Sequence, residues 1–163
     1  MPTLHALLKL REGEELEVYP DSLKKPTVGI GHLVVPADKL KIGDKITAAQ
    51  SAAFFKKDAA KAIAAAKSQA AKAGIKDTKF IVYLTAVNFQ LGKKWHRKQK
   101  KTWALILDGK YEAAAVEAAK SAWYKQTPKR VKDFQKALRN LPQEAPAKGG
   151  NDMGKDGPSL RLA

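Results

Sequence analysis

The sequence predicts an α+β protein, mainly helical, with a small strand-rich lobe and a larger helical lobe joined by one long helix. Three observations predict it. Short apolar segments interrupted by Pro, Lys-Lys and Gly crowd residues 16–35, which reads as small antiparallel strands with turns. An alanine-rich stretch over residues 48–72 contains neither proline nor glycine and opens on capping-box spacing. Beyond Gly74, apolar residues recur at helical spacing in several shorter segments.

Thr3 caps a first helix running to Arg11 or Glu12, with Leu4, Leu7, Leu8 and Glu12 at helical spacing and Gly13 as the stop. Strands follow at Leu16–Tyr19, Thr27–Ile30 and Leu33–Val35, separated by Pro20-Asp21, Lys24-Lys25-Pro26 and Gly31. Pro36 to Lys45 is polar connection. Thr47 and Gln50 then each satisfy an orphan amide of the linking helix, which reaches about Lys72 before Gly74. Thr78–Leu91 is a buried helix, with Phe80, Leu84, Val87 and Leu91 on one face and Gly92 at its end. Shorter helices are expected near Thr102–Leu107 and Tyr111–Ser121. In the last helix Thr127 is the N-cap, Pro128 stands where its missing N–H costs nothing, and Val131, Phe134, Leu138 and Leu141 face inward before Pro142. Residues 143–163 hold Gly, Pro and charge with little to bury and read as a flexible tail. The expected organisation is one domain over residues 1–142, with the strand lobe at about 13–46, the linking helix at 47–73 and the helical lobe at 74–142 plus the N-terminal helix.

The chain has 163 residues, of which 44% are apolar, enough for a real core and too many for wholesale disorder. No run approaches the roughly 18–20 apolar residues that span a bilayer, and the N-terminus does not read as a secretory signal. Absence of cysteine excludes disulfides and thiolate metal sites. Synthesis in a cytoplasm is expected, with no thiol to prevent work in an oxidising space. Thirty-one Lys and Arg against sixteen Asp and Glu give a net charge of +15, a field that attracts nucleic acid, anionic lipid or an anionic cell envelope. The excess is uneven. Residues 12–21 hold Glu12, Glu14, Glu15, Glu17 and Asp21 without a base, and residues 93–101 hold six bases without an acid.

Glu12 shares a helix face with Leu4 and Leu8, and a carboxyl held against apolar neighbours is suited to giving a proton. Alone, it also reads as a helix-end residue on a solvated edge. Asp21 beside Pro20 reads alone as a turn aspartate, and Thr27 as an ordinary strand residue. Together they suit glycoside hydrolysis, which needs one carboxylic acid for the leaving oxygen and a second carboxylate for the attacking water or developing positive charge. A threonine hydroxyl beside the second carboxylate can help to hold that water.

The segment Glu12-Gly13 … Leu16 … Tyr19-Pro20-Asp21-Ser22 … Pro26-Thr27-Val28-Gly29-Ile30-Gly31-His32 resembles the signature of phage-type lysozymes, the family 24 glycoside hydrolases. The Glu–Asp spacing of nine and the Asp–Thr spacing of six agree with that family. The likeness recurs in Val87-Asn88-Phe89-Gln90-Leu91-Gly92 and across Ala119–Arg130, so it covers about residues 3–142 in order. The resemblance implies a two-lobe lysozyme-like fold with Glu12 as general acid, Asp21 as partner carboxylate and Thr27 positioning the water. It implies cleavage of the β-1,4 bond between N-acetylmuramic acid and N-acetylglucosamine in peptidoglycan, with inversion and without metal or organic cofactor. Arg130 matches a family arginine near the glutamate. Gly31 and Leu33 on the strand side, and Phe89 and Gln90 on the helical side, match positions lining the cleft; the other reading of Phe89 is plain core. His32 is expected to pair with Asp58 in a structural role, and His5 and His96 make no metal pattern.

Two departures stand out. The family usually has glycine at the hairpin position occupied by Lys24, so the turn must differ or bear strain. The basic run at 93–101 exceeds what the family's loop carries and reads as a solvated surface. The expected role is that of a phage endolysin acting on peptidoglycan glycan strands within an anionic cell envelope. It would be made in the host cytoplasm, reach the periplasm with the help of a separate membrane pore protein, and work as a monomer. A virion-borne role at entry is the variant. Two other classes compete: a nucleic-acid-binding module using Trp95, His96 and Trp103 among the bases, and a non-catalytic cationic wall or membrane binder using the last helix, with Lys129, Arg130, Lys132, Lys136 and Arg139 around its apolar stripe.

Overall fold

The computed structural model describes residues 3–143. Most of the expected tail, residues 144–163, lies outside them. Helix α1 (Leu4–Glu12) starts at Thr3, whose Oγ1 accepts from the Ala6 N–H at 3.1 Å, and ends at Gly13 with φ 77°. A three-stranded antiparallel sheet follows in the order β1 (Glu15–Pro20), β2 (Pro26–Gly29), β3 (His32–Leu33). Tyr19 stands opposite Thr27, and the β1–β2 register shifts between Glu15 and Tyr19. A 3-10 turn at Pro36–Asp38 leads to a return segment that bonds β1 through Val18 N–H to Asp44 O and Ile46 N–H to Leu16 O, both 2.8 Å. The sheet's own core is small: Val18, Val28 and Ile46, with Val34, Leu40 and Phe54 packed against them.

Helix α2 (Ala48–Ala73) is the expected rod. The Thr47 and Gln50 side chains cap each other's backbone N–H at 3.1 and 2.8 Å, and Gly74 closes the helix in the left-handed region at φ 70°. Helix α3 (Thr78–Leu91) has the predicted bounds, and its N-cap is Asp77, whose Oδ1 accepts from the Phe80 N–H. The remainder folds as α4 (Trp95–Lys98), α5 (Lys100–Leu107), α6 (Tyr111–Ala118), α7 (Ala122–Gln126) and α8 (Pro128–Arg139). Phe80, Trp95, Trp123 and Phe134 form its aromatic centre, the first three with ring centroids 5.8–5.9 Å from that of Phe134.

Two expectations change in detail, and the inward-facing stripe expected of the last helix is found as core. Thr127 does not cap α8 through its side chain; its hydroxyl donates to Trp123 O at 3.3 Å and accepts from Gln90 Nε2 at 3.1 Å. The basic run is not all solvated loop, because Trp95 within it is 2% exposed and its indole N–H bonds Gln69 Oε1 at 3.0 Å. That burial takes Trp95 out of the stacking surface on which a nucleic-acid interface would rest, while His96 and Trp103 are half-buried and the six bases around them are exposed. Finally, the apolar stripe of α8 is core: Val131, Phe134 and Leu138 are buried, so it is not available to lie on a lipid surface. No helix of the described residues is long and apolar enough to cross a membrane.

Candidate active site

Glu12 is the last residue of α1, and α8 reaches across to hold it. Arg130 Nη1 donates to Glu12 Oε2 at 2.5 Å, and Nη2 of the same guanidinium donates to Ala86 O at 3.3 Å. A parallel pair lies beside it, where Arg11 donates through Nε and Nη2 to the two Asp133 oxygens at 2.7 and 3.0 Å. Such forked charge-assisted bonds fix orientation as well as distance. The Asp133 hydrogen bond and charge raise the Arg11 guanidinium above its already high value, against the opposing effect of burial.

The second oxygen, Glu12 Oε1, faces Gly31. A Cβ at Gly31 would lie 3.1 Å from it, and the residue adopts φ 68°. Glycine is therefore required twice here, by close approach and by backbone conformation.

Asp21 is held locally. Its Oδ1 accepts from the Leu23 and Lys25 N–H groups, both at 2.8 Å, while its backbone carbonyl accepts from the Lys24 N–H and its own N–H donates to Lys25 O. Oδ2 takes no hydrogen bond from the described residues. Lys24 does adopt the left-handed conformation, with φ 63°, so the turn keeps the shape that glycine favours and bears the strain of a side chain there. Thr27, in β2, is buried, and its hydroxyl donates to Lys25 O at 3.1 Å, leaving oxygen lone pairs as acceptors. Tyr19 feels the field of both carboxylates: burial raises its phenol above the ordinary 10.0, and the charges of Glu12, Glu15 and Asp21 add to the rise.

From Gly31 a cleft of about 960 Å³ runs between the sheet, α2 and the end of α3. Gly31, Leu33 and Phe89 line it as expected. Gln90 does not; it borders a separate small cavity with Leu7, Tyr83 and Trp123, where its Oε1 accepts from the Trp123 indole N–H at 2.9 Å. His32 meets Asp58 at 2.7 Å through Nδ1, as the resemblance implies, and also Asp38 at 2.8 Å through Nε2. Its ring stacks on Phe54 with centroids 4.0 Å apart. Both contacts are hydrogen bonds to carboxylates only when each ring nitrogen carries a proton. Burial alone would raise the Asp38 carboxyl, but the Val35 N–H, the His32 hydrogen bond and nearby positive charge carry it below its ordinary 3.8.

Sequence reasoning missed Asp38, which reads there as polar connection, and the cleft lysines Lys57, Lys61 and Lys93. Lys57 and Lys61 were findable as a like-charge pair one turn apart on the linking helix. Among the described residues no group of three or more His, Asp or Glu side chains is arranged to hold a metal ion.

A small sheet, a long linking helix and an interlobe cleft lined by Gly31, the residue that abuts Glu12 Oε1, define a lysozyme-type architecture; Glu12, Asp21 and Thr27 are not themselves in its lining. Residues 9–140 match the model of the phage lysozyme family, and the chain belongs to that family. It is 33% identical over 150 residues to "Probable T4-type lysozyme 2" of Dictyostelium discoideum, spanning 78% of this chain and 88% of that protein. It is also 33% identical over 146 residues to "Probable T4-type lysozyme 1" of the same organism, covering 76% and 86%. "Peptidoglycan hydrolase gp36" of Pseudomonas phage phiKMV is 30% identical over 122 residues, covering 75% of this chain and 13% of that protein. The protein is thus a glycoside hydrolase, a lysozyme-type peptidoglycan hydrolase.

Proposed function

We propose that the protein hydrolyses the β-1,4 bond between N-acetylmuramic acid and N-acetylglucosamine by general acid catalysis with inversion. The observation that carries this reading is the division of labour at Glu12: Arg130 engages Oε2, while Oε1 faces Gly31 at the cleft. Oε1 is the oxygen that gives its proton to the leaving glycosidic oxygen. Asp21, with Oδ2 free, and Thr27, with its lone pairs free, hold the water that attacks the opposite face of the sugar. Inversion calls for roughly 6.5–9.5 Å between the two carboxyls, the room a water needs. His32, Asp58 and Arg130 support the site rather than react. Gly31, Leu33 and Phe89 contact the glycan; with its amide engaged by Trp123 and Thr127, Gln90 acts by holding α3 to α7.

In this reading one lysozyme-like domain over residues 1–142 works as a monomeric phage endolysin. It is made in the host cytoplasm, enters the periplasm once a separate pore protein has permeabilised the membrane, and lyses the host. The net charge of +15 supports retention on an anionic envelope. The test compares wild type with a folded Glu12→Gln variant on purified Gram-negative peptidoglycan. Turbidity should fall and new reducing ends appear with the wild type, and both rates should drop about 10³-fold in the variant, within the range for loss of a general acid. Equal clearing by both proteins would remove Glu12 from the acid's role.

A further inference from the structure

Away from the cleft, the helical lobe presents a charged surface that bond cleavage does not use. Lys94, Arg97, Lys98, Lys100 and Lys101, at α4 and the start of α5, are all exposed, and none forms an ion pair among the described residues. Blocks of like charge are ordinarily disordered, yet this one is folded and pinned from beneath. Trp95 is buried within it, its indole N–H on Gln69 Oε1, and Gln69 Nε2 donates to Lys93 O at 3.1 Å and to Asn88 Oδ1 at 2.9 Å. Trp103 meets Trp95 and His96 edge-on, with centroids 5.8 and 5.4 Å away. The arrangement costs stability. Lys100 and Lys101 open α5 at the end where the helix dipole favours acids. His96 Nδ1 is buried without a hydrogen-bond partner among the described residues. Burial lowers the His96 ring below its ordinary 6.5, and the charges of Arg97 and Lys72 lower it further, which places the end of α2 beside the run and adds a sixth exposed cation. Local rules broken together, with no compensating contact, mark a surface kept for a partner.

The partner follows from what this surface lacks. A segment that lies on a bilayer lowers apolar side chains among the headgroups, but no large apolar residue between 92 and 106 is exposed. With Trp95 buried and Trp103 half-buried, the surface engages by charge rather than by stacking. Charge alone suits a polyanion of high linear density, and duplex nucleic acid carries one phosphate charge per ~1.7 Å of its axis. Arg97 adds a planar fork that matches phosphate oxygens. We propose that Lys72, Lys94, Arg97, Lys98, Lys100 and Lys101 form a binding surface for the phosphate backbone of duplex nucleic acid, without base recognition and separate from the glycan cleft. Because the run is already ordered, binding does not have to fold it first. This second function does not depend on which bond the cleft cleaves.

The test titrates the full-length protein against a fluorescein-labelled DNA duplex and reads anisotropy between about 50 and 200 mM KCl. Each neutralised phosphate contributes about −0.9 to the slope of log K against log salt, so six contacts should give the wild type a slope of about −5. The variant Arg97→Gln/Lys98→Gln/Lys101→Gln should flatten that slope by about 2.7. A control of equal net charge, Lys41→Gln/Lys45→Gln/Lys56→Gln, removes exposed lysines of the strand lobe and the first half of α2 and should leave the slope unchanged. Duplexes of different base composition should bind alike. Should the triple variant not fold, acetylation of the wild type gives an independent reading: duplex should slow reaction at Lys72, Lys94, Lys98, Lys100 and Lys101 and leave Lys41, Lys45 and Lys56 as in the free protein. Equal flattening in variant and control, or protection spread over both lobes, would overturn the surface in favour of bulk charge. A wild-type slope shallower than about −2 would overturn it as well. Tighter binding to phosphatidylglycerol vesicles than to duplex, through the same three residues, would replace nucleic acid with a lipid surface.

Discussion

The two lobes hold their halves of the site by different physics. In the helical lobe, Arg130 stands on a helix whose other face buries Val131, Phe134 and Leu138 among Phe80, Trp95 and Trp123. In the strand lobe three buried residues form the core, and position is kept by polar bonds: Asp21 to its own turn, His32 to Asp38 and Asp58, and Glu14 to Ser51 Oγ at 2.8 Å. The Ser51 bond, with Lys9 beside it, also lowers the Glu14 carboxyl below its ordinary 4.5. Packing is indifferent to acid, whereas bonds to carboxylates are not. The packed aromatic centre therefore resists acid, whereas the polar bonds that hold the strand lobe respond to it.

The contrast breaks most severely at Phe134. Phe134→Ala should cost about 3–5 kcal/mol in urea unfolding, because three aromatic rings lose their common neighbour. A cost below that of any single strand-lobe polar change would reverse the assignment of strength to the helical lobe. Gly31→Ala, where the lobes meet, should slow cleavage about 10- to 30-fold, or roughly 1.4–2 kcal/mol of barrier, since the new Cβ lies 3.1 Å from Glu12 Oε1. Steady-state release of reducing ends checks this, and an unchanged rate would mean that Oε1 need not face the cleft.

Asp38→Asn sharpens the pH side. The folded value of this carboxyl is lowered, so its contribution is present at pH above 3.8 and is lost as pH falls through the folded value beneath it. The variant should be about 1–2 kcal/mol less stable at neutral pH, and the difference from wild type should close on acidification; denaturant titrations across pH measure both. His96 in the helical lobe acts in the same sense at higher pH. Burial, with Arg97 and Lys72 nearby, lowers its ring below the ordinary 6.5, so the stability linked to its neutral form declines as pH falls from there through the folded value. The smallest effect is expected at Lys24. Lys24→Gly should stabilise by about 0.5 kcal/mol, relief of left-handed strain being partly offset by the greater freedom of unfolded glycine. A loss of stability in thermal melts would show that the lysine side chain does more than tolerate its backbone.

What could be read without coordinates follows the range of each interaction. Thr3, the Thr47–Gln50 box and Gly74 act within four residues, and the helices they bound were legible to within a residue or two. The Asp21 turn is also local, so the strain at Lys24 was visible as a conflict between residue type and backbone conformation. Trp95 was misjudged because its burial depends on Gln69, 26 residues earlier, whose amide also pairs with Asn88. Helix α7 is five residues long, too short for a periodic pattern, and Gln90 turns from the cleft because Trp123 and Thr127 take its amide from 33 and 37 residues away. The pairing of Glu12 with Arg130 was available only through resemblance, since nothing local connects residues 118 apart.

That separation has a consequence for synthesis. On a ribosome, Glu12 emerges early, while the guanidinium that orients it is added 118 residues later and must still clear the exit tunnel before α8 can dock. No nascent fragment ending before α8 contains the finished constellation, however completely its strand lobe has formed. A product terminated before Arg130 therefore lacks the ion pair that holds Glu12, and on the catalytic role proposed for Glu12 it would be inactive.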